Sequence, residues 1–272
     1  MFRIDCDRME FDMKKFFQIL SLMMTIMVST IAIVTAENNN GQYIEAEATL
    51  HPDGQNINAM LIVVDQLAYR NLAIQVDELH IMSETTIRDA KLESDIIKTR
   101  VETAIRGAKI VSKVRNADGS FHVVARLPIF GGSQSLANAV LPENIQIEEL
   151  PKPKYTNLVI ENFEKDYTGL IIDCRGQNIS KAIIPSIKSS DGTDIYTYKN
   201  VTRQMATEVG MVSYVDEIKE ASARVGIKPL IIKAISVSGE CDAVISDEDA
   251  NKILIANQYS KFLNNCTVVF VR

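Results

Sequence analysis

Three residue types that build active sites stand side by side at the end of an apolar run, in Tyr167-Thr-Gly-Leu-Ile-Ile-Asp-Cys-Arg-Gly176. A cysteine acts as a nucleophile only as its thiolate, and that requires a nearby base, usually a histidine. The chain has three histidines, His51, His80 and His122, all in its first half and in separate predicted elements. In strand register Cys174 shares a face with Leu170 and Ile172, while Asp173 and Arg175 point the other way. The pattern therefore predicts a buried, unreactive Cys174 and an Asp173–Arg175 pair on the wet face, with Gly176 turning the chain. A thiol-dependent enzyme using Cys174 is the alternative.

Other chemistries find less support. The histidines and cysteines show no HxxH, HExxH or CxxC spacing, and neither a GxGxxG nor a P-loop occurs, so no metal, nucleotide or other cofactor site is expected. The acidic run Asp247-Glu-Asp249 follows Ser246 and lies where a helix N-terminus attracts negative charge, which explains it without calcium. Three glycosylation-type triplets, at Asn178, Asn200 and Asn265, carry little weight, because the pattern is common by chance. No catalytic, cofactor-binding or metal-ligating residue is assigned. Cys241 and Cys266 have two arrangements open to them. If residues 231–238 run directly into the next helix, the two cysteines lie at its opposite ends. If Gly239 turns tightly and Ala243–Ile245 return as a strand, they come to one end.

The elements that must position these residues can be read from periodicity. The strand YIEAEATL is followed by Ile57, Met60, Leu61, Val64, Ala68 and Leu72, whose spacing is that of an amphipathic helix. A second helix over Ser94–Arg106 stops at Gly107, and Asn-Ala-Asp-Gly joins two strands in which Phe121, Val123, Ala125 and Leu127 share a face. The glycine pair Gly131-Gly132 and prolines 142, 151 and 153 interrupt the pattern, and residues 131–155 read as an exposed linker. Beyond it, strands are expected at Leu158–Asn162 and Gly169–Arg175, a hairpin around Ser-Ser-Asp-Gly, and an interrupted helix over Met205–Val225. The strand KPLIIKAISVS, a helix capped by Ser246 and a last strand CTVVFVR complete the series. The prediction is an α+β fold of two small mixed domains, 37–130 and 156–272, each with a largely antiparallel sheet packed against helices.

The N-terminal region bears on destination. Two lysines precede an uncharged run from Phe16 to Val34, and Val34-Thr35-Ala36 ends it ahead of a polar stretch. That is the layout of a signal peptide over residues 1–36, with Met13 the better start because four acids crowd the residues before it. A membrane anchor retaining residues 13–36 is the alternative. The formal net charge is −6, and the leader's four bases and four acids balance, so the mature chain keeps that value. Such a charge leaves no basic footprint for nucleic acid or an anionic membrane surface. The expected location is exported, periplasmic or associated with the cell envelope.

The run AYRNLAIQVDELHIMSETT (68–86), the helix ending IRGAKIV and the hairpin NADGSFHVVARLP resemble the bacterial twenty-kilodalton, Lpp-type lipoprotein family and the N-terminal region of flagellar assembly protein T. The resemblance covers about 58–130. It implies an exported envelope protein, often a surface antigen, without enzymatic activity, whose partner is another envelope protein or itself. Two positions depart from that pattern: Glu78 stands where the family places glycine, and no cysteine follows the cleavage point, so no lipid anchor is expected.

Overall fold

The computed structural model describes residues 43–52, 56–77, 79–82, 94–154 and 166–272. The expected leader, position 78 and the strand expected over 158–162 lie outside the described residues. Residues Gly41–Arg272 form one compact unit.

Alternation of apolar and polar residues builds the first sheet. β1 (Tyr43–Leu50) pairs antiparallel with β4 (Phe121–Pro128), which pairs antiparallel with β3 (Lys109–Arg115). The face carrying Ile44, Ala46, Ala48, Phe121, Val123, Ala125 and Leu127 is buried. Against it packs α1 (Ile57–Asp77), which buries Met60, Val64, Ala68, Leu72 and Val76 at helical spacing. After β2 (His80–Met82) comes α2 (Ser94–Arg106), closed by Gly107, whose N–H donates to Thr103 O and Ala104 O. The predicted hairpin turn is present: Asn116 N–H donates to Ser120 O at 2.8 Å, and Asp118 accepts from the Ser120 N–H and hydroxyl.

Within residues 131–154, expected to be an exposed linker, the stretch 135–141 is packed, while most of 143–149 is exposed. The packed stretch carries the short helix α3 (Leu136–Val140), capped by Ser135, and Leu136, Ala137, Val140 and Leu141 are fully buried. Glu148 N–H donates to Lys199 O, and Gly131 N–H donates to Thr207 O. One apolar core runs from Ile44 through Leu136 and Leu141 to Phe270. The expected boundary is therefore not marked by a break in packing. The prolines hold an extended segment against the surface rather than freeing it.

The second half is built on two sheets. β5 (Gly169–Asp173), β9 (Ser213–Val215), β10 (Pro229–Lys233) and β13 (Val268–Val271) form an all-parallel sheet in the order β10-β5-β13-β9. β6 (Ala182–Ile184) pairs parallel with β2, tying the halves together. β7 (Ile187–Ser189), β8 (Asp194–Tyr196), β11 (Ser236–Ser238) and β12 (Asp242–Ile245) make a mixed sheet in the order β11-β12-β7-β8.

The fold is α+β, and strand direction differs from the antiparallel expectation in this half. The reason is burial on both faces. Leu170, Ile172, Val268 and Phe270 face the main core, while Ile171, Val269 and Val271 lie under the 3-10 turn Ile218–Ala221 and α5 (Ser222–Val225). Strands buried on both faces read as unbroken apolar runs, and such runs suit parallel pairing. The segment expected as interrupted helix contains α4 (Arg203–Glu208), then β9, then α5. The expected single strand KPLIIKAISVS is divided: Ala234 N–H donates to Asp173 O and Ile235 N–H to Val244 O, so the chain passes there from one sheet to the other. After β12, α6 (Asp247–Ser260) starts at Ser246, whose hydroxyl accepts from Asp249 N–H. Among the described residues no helix is long and apolar enough to cross a membrane.

Two glycines are required by close approach. Gly210, at φ +80°, leaves room for the Phe130 ring, which a Cβ would meet at 2.7 Å. A Cβ on Gly169 would lie 2.6 Å from Val225 Cβ, so α5 could not cover the sheet.

Candidate functional site

The end of β5 places the residues with which the sequence opened. Cys174 is 1% exposed, and its Sγ points back to Ile172 O at 3.8 Å. Burial, helped by the neighbouring Asp173 carboxylate, pushes its thiol up to about 12. Asp173 and Arg175 are closed on each other: Nε and Nη2 donate to the two carboxylate oxygens at 2.8 and 2.7 Å, and the Arg175 N–H adds a third bond. That bidentate pairing holds the Asp173 carboxyl below its ordinary value.

The histidines are dispersed. His51 lies 3.6 Å from Asp118 on the surface, His122 sits between Thr49 and Glu47 on the open face of the first sheet, and the His80 backbone pairs with Ala182. Neither the His51 nor the His122 side chain is brought to Cys174 among these contacts. The acids Asp247, Glu248 and Asp249 serve the α6 terminus and its surroundings: Asp247 accepts from Ser190 Oγ and Asp191 N–H, and Glu248 and Asp249 meet Lys252. Among the described residues no three histidine, cysteine or acidic groups gather as a metal site would require.

One buried polar cluster has no warning in residue spacing. Asp242 is 0% exposed, accepts from Ser186 N–H at 2.9 Å, and lies 3.2 Å from Lys188 Nζ, without an aligned hydrogen bond to that second oxygen. Burial outweighs these partners and raises its carboxyl above the ordinary value. Cys241, next to it, is likewise pushed up to about 12 by burial. The Gly239 turn and the return strand β12 are present, yet Cys241 and Cys266 are not joined by a disulfide and lie in different surroundings, Cys266 against Tyr196 and Arg224. A polar cleft lined by Glu148, Glu149, Asp194, Thr197, Lys199 and Asn200 has a volume of about 120 Å³. Ligand pockets are typically about 300–1,000 Å³ and largely apolar, so this one is too small and too wet for an organic ligand.

Among the described residues, one of the unpaired sheet edges carries exposed isoleucines. β10 is the outermost strand of the parallel sheet, and β11, which continues it, is outermost in the mixed sheet. Leu230, Ile232 and Ala234 point into the core, and the alternate positions expose Ile227 (97%), Ile231 (50%) and Ile235 (51%). An open edge displays unpaired N–H and C=O groups, and proteins usually blunt such edges with charge. Here Lys233 alone is charged among the outward side chains of Pro229–Lys233, and isoleucines flank it. The sequence showed KPLIIKAISVS as a strand, but nothing in its alternation distinguishes an edge from an interior position.

Residues 169–272 match the family model for the second domain of Treponema pallidum Tp0624, a match that covers less than half of the chain and begins with the first residue of β5. No curated protein matches the chain.

Proposed function

We propose that this chain is an exported, non-enzymatic protein of a bacterial cell envelope that acts as a binding or assembly module. One observation carries the reading: the residues most suited to chemistry are closed on each other or buried, while, among the described residues, a strand edge flanked by isoleucines stays unpaired. A thiol held near 12 gives no useful nucleophile near neutrality, which weighs against an enzyme built on Cys174. The likeness of residues 169–272 to a domain of a bacterial protein agrees with a bacterial source. The uncharged run ending at Ala36 supports export, with Glu37 as the mature N-terminus. The resemblance over 58–130 to exported lipoproteins and to flagellar assembly protein T points the same way.

The test is cross-linking in intact cells that export the protein, followed by N-terminal sequencing of the recovered chain. A cross-linked complex from the envelope fraction, with the chain beginning at Glu37, is the expected result. Recovery as an uncomplexed species from the cytoplasm overturns the proposal.

A further inference from the structure

We propose that Lys188 and Asp242 condense to an amide between Nζ and Cγ, a covalent cross-link that ties β7 to β12 inside the folded chain. The link is a modification that the chain makes on itself, and it does not depend on the assembly reading above.

The strands bring the two side chains together. β7 and β12 run parallel, with Ile187 opposite Ala243 and Lys188 opposite Val244. Alternation puts Ser186, Lys188, Asp242 and Val244 on one face, so Lys188 is the diagonal neighbour of Asp242 and its long stem covers the offset. Nζ ends 3.2 Å from Oδ2, with the lysine side chain 11% and the aspartate side chain 0% exposed. The backbone fixes this register: Ala243 N–H donates to Ser186 O at 3.0 Å, and Ser186 N–H donates to Asp242 Oδ1 at 2.9 Å.

The two carboxyl oxygens are treated differently. A donor to a carboxylate prefers the plane of the group, along the lone pairs. Oδ2 has no aligned hydrogen bond although Nζ is 3.2 Å away, which fits an amine standing over the carboxyl rather than in its plane. Oδ1 is held by the Ser186 N–H, with Cys241 Sγ 3.9 Å away as a weaker donor. Those donors meet the negative charge that develops on Oδ1 when the carbon is attacked, as an oxyanion hole does. Burial raises the carboxyl above its ordinary value and so favours the neutral acid, which can lose water, over the carboxylate.

The atoms balance without a co-reactant. One proton passes from the Nζ ammonium to Oδ2, leaving an amine and a neutral acid. The Nζ lone pair forms the bond to Cγ, and the carbonyl electrons move onto Oδ1. A second proton moves from Nζ to Oδ2, the Cγ–Oδ2 bond breaks with its electrons on oxygen, and water leaves as the carbonyl re-forms at Oδ1. Three protons on Nζ thus become one on the amide and two on water. Reactants held in place reach effective molarities of about 10⁵–10⁸ M, and a closed interior keeps water from reversing the step. The product is uncharged, which removes the penalty of two buried ions. The free carboxyl and its titration belong to the chain before condensation.

The experiment is intact-mass measurement and tryptic mapping of the full chain, purified folded. The expected mass is one water below that of the chain as processed. Trypsin cuts after a free Lys188; with the link it should leave 182–199 joined to 234–252 as one peptide. Lys188→Arg keeps a cation but offers no amine, and it should restore the full mass, as should Asp242→Ala. Where a variant fails to fold, the joined peptide of the parent decides the matter by itself. A parent of full mass that yields 182–188, 189–199 and 234–252 as separate peptides overturns the proposal. A water loss that persists in Asp242→Ala, as cyclisation at an Asp-Gly sequence would give, overturns it too. Neither result touches the cross-linking test of the envelope partner, so the two readings fail separately.

Discussion

Arg203 Nη1 donates to Asn138 Oδ1 at 2.6 Å, across 65 positions of sequence. The same guanidinium donates to Asn138 O, Leu141 O and Pro142 O, so it closes the C-terminal end of α3 with bonds that the helix cannot make for itself. Its neighbour Arg100 also donates to Leu141 O. Two arginines from distant elements thus hold the stretch that sequence periodicity treats as a linker.

Replacing Arg203 should loosen that stretch. Arg203→Met removes several part-buried bonds to carbonyl oxygens and leaves acceptors unsatisfied, at a cost of about 2–3 kcal/mol. Arg203→Lys should recover little of it, because one ammonium cannot reproduce the planar fork. Urea unfolding measures the loss, and limited proteolysis should show new cleavage within 131–154 only in the variants. Equal stability for Arg203→Lys and the parent would contradict the fork geometry.

Cys174 should be silent in the native protein. With the thiol pushed up to about 12, roughly one molecule in ten thousand carries a thiolate at about pH 8, and burial blocks access as well. Iodoacetamide should label Cys174 only after unfolding, as peptide mass mapping would show. Rapid native labelling would restore the enzyme alternative.

Gly210→Ala should be among the most damaging single-methyl changes. The position has φ +80° and the new Cβ would meet the Phe130 ring at 2.7 Å. Backbone strain and overpacking together predict a loss of about 2–4 kcal/mol. The double variant Gly210→Ala with Phe130→Leu should relieve the clash but not the strain. Full recovery in a double-mutant cycle would show that φ costs nothing there.

Asp242 predicts a pH dependence with a definite sign. Its folded value is raised above 3.8, chiefly by burial, so the folded chain holds the proton more tightly than the unfolded chain does. The contribution is fully present below the ordinary value and is lost as pH rises through the folded one. Asp242→Asn abolishes this titration, so the stability of the variant relative to the parent should increase as pH rises above 3.8. Denaturant midpoints measured across pH for both proteins test this, and parallel profiles would exclude Asp242 as the titrating group.

Much of the first half was legible because its elements are amphipathic. The buried face of α1 and the Phe121–Leu127 face of β4 follow periods of 3.6 and 2, and the Asn116–Gly119 turn follows its residue types. Cys174 and the Asp173–Arg175 pair were legible for the same reason, since alternation at a strand end separates a dry face from a wet one. Less could be read where burial is two-sided. The runs Leu-Ile-Ile and Val-Val-Phe-Val carry no alternation, so strand direction was lost. α3 is too short for a period, and its burial depends on Arg203 arriving from far along the chain. The Lys188–Asp242 pair and the open edge at β10 are also products of pairing between distant segments, which local pattern does not encode.

The order β10-β5-β13-β9 has a consequence in time. β13 sits between β5 and β9 and hydrogen-bonds to both, yet it is made after every other strand of that sheet. A ribosome adding about 5–20 residues per second finishes β5 several seconds before β13 exists. Until then β5 and β9 have no shared neighbour, and Ile171 and Ile172 lack their in-sheet partners Val269 and Phe270. The half containing this sheet therefore cannot close while it is being synthesised. Until synthesis has passed Val271, that sheet stays open to chaperones and proteases.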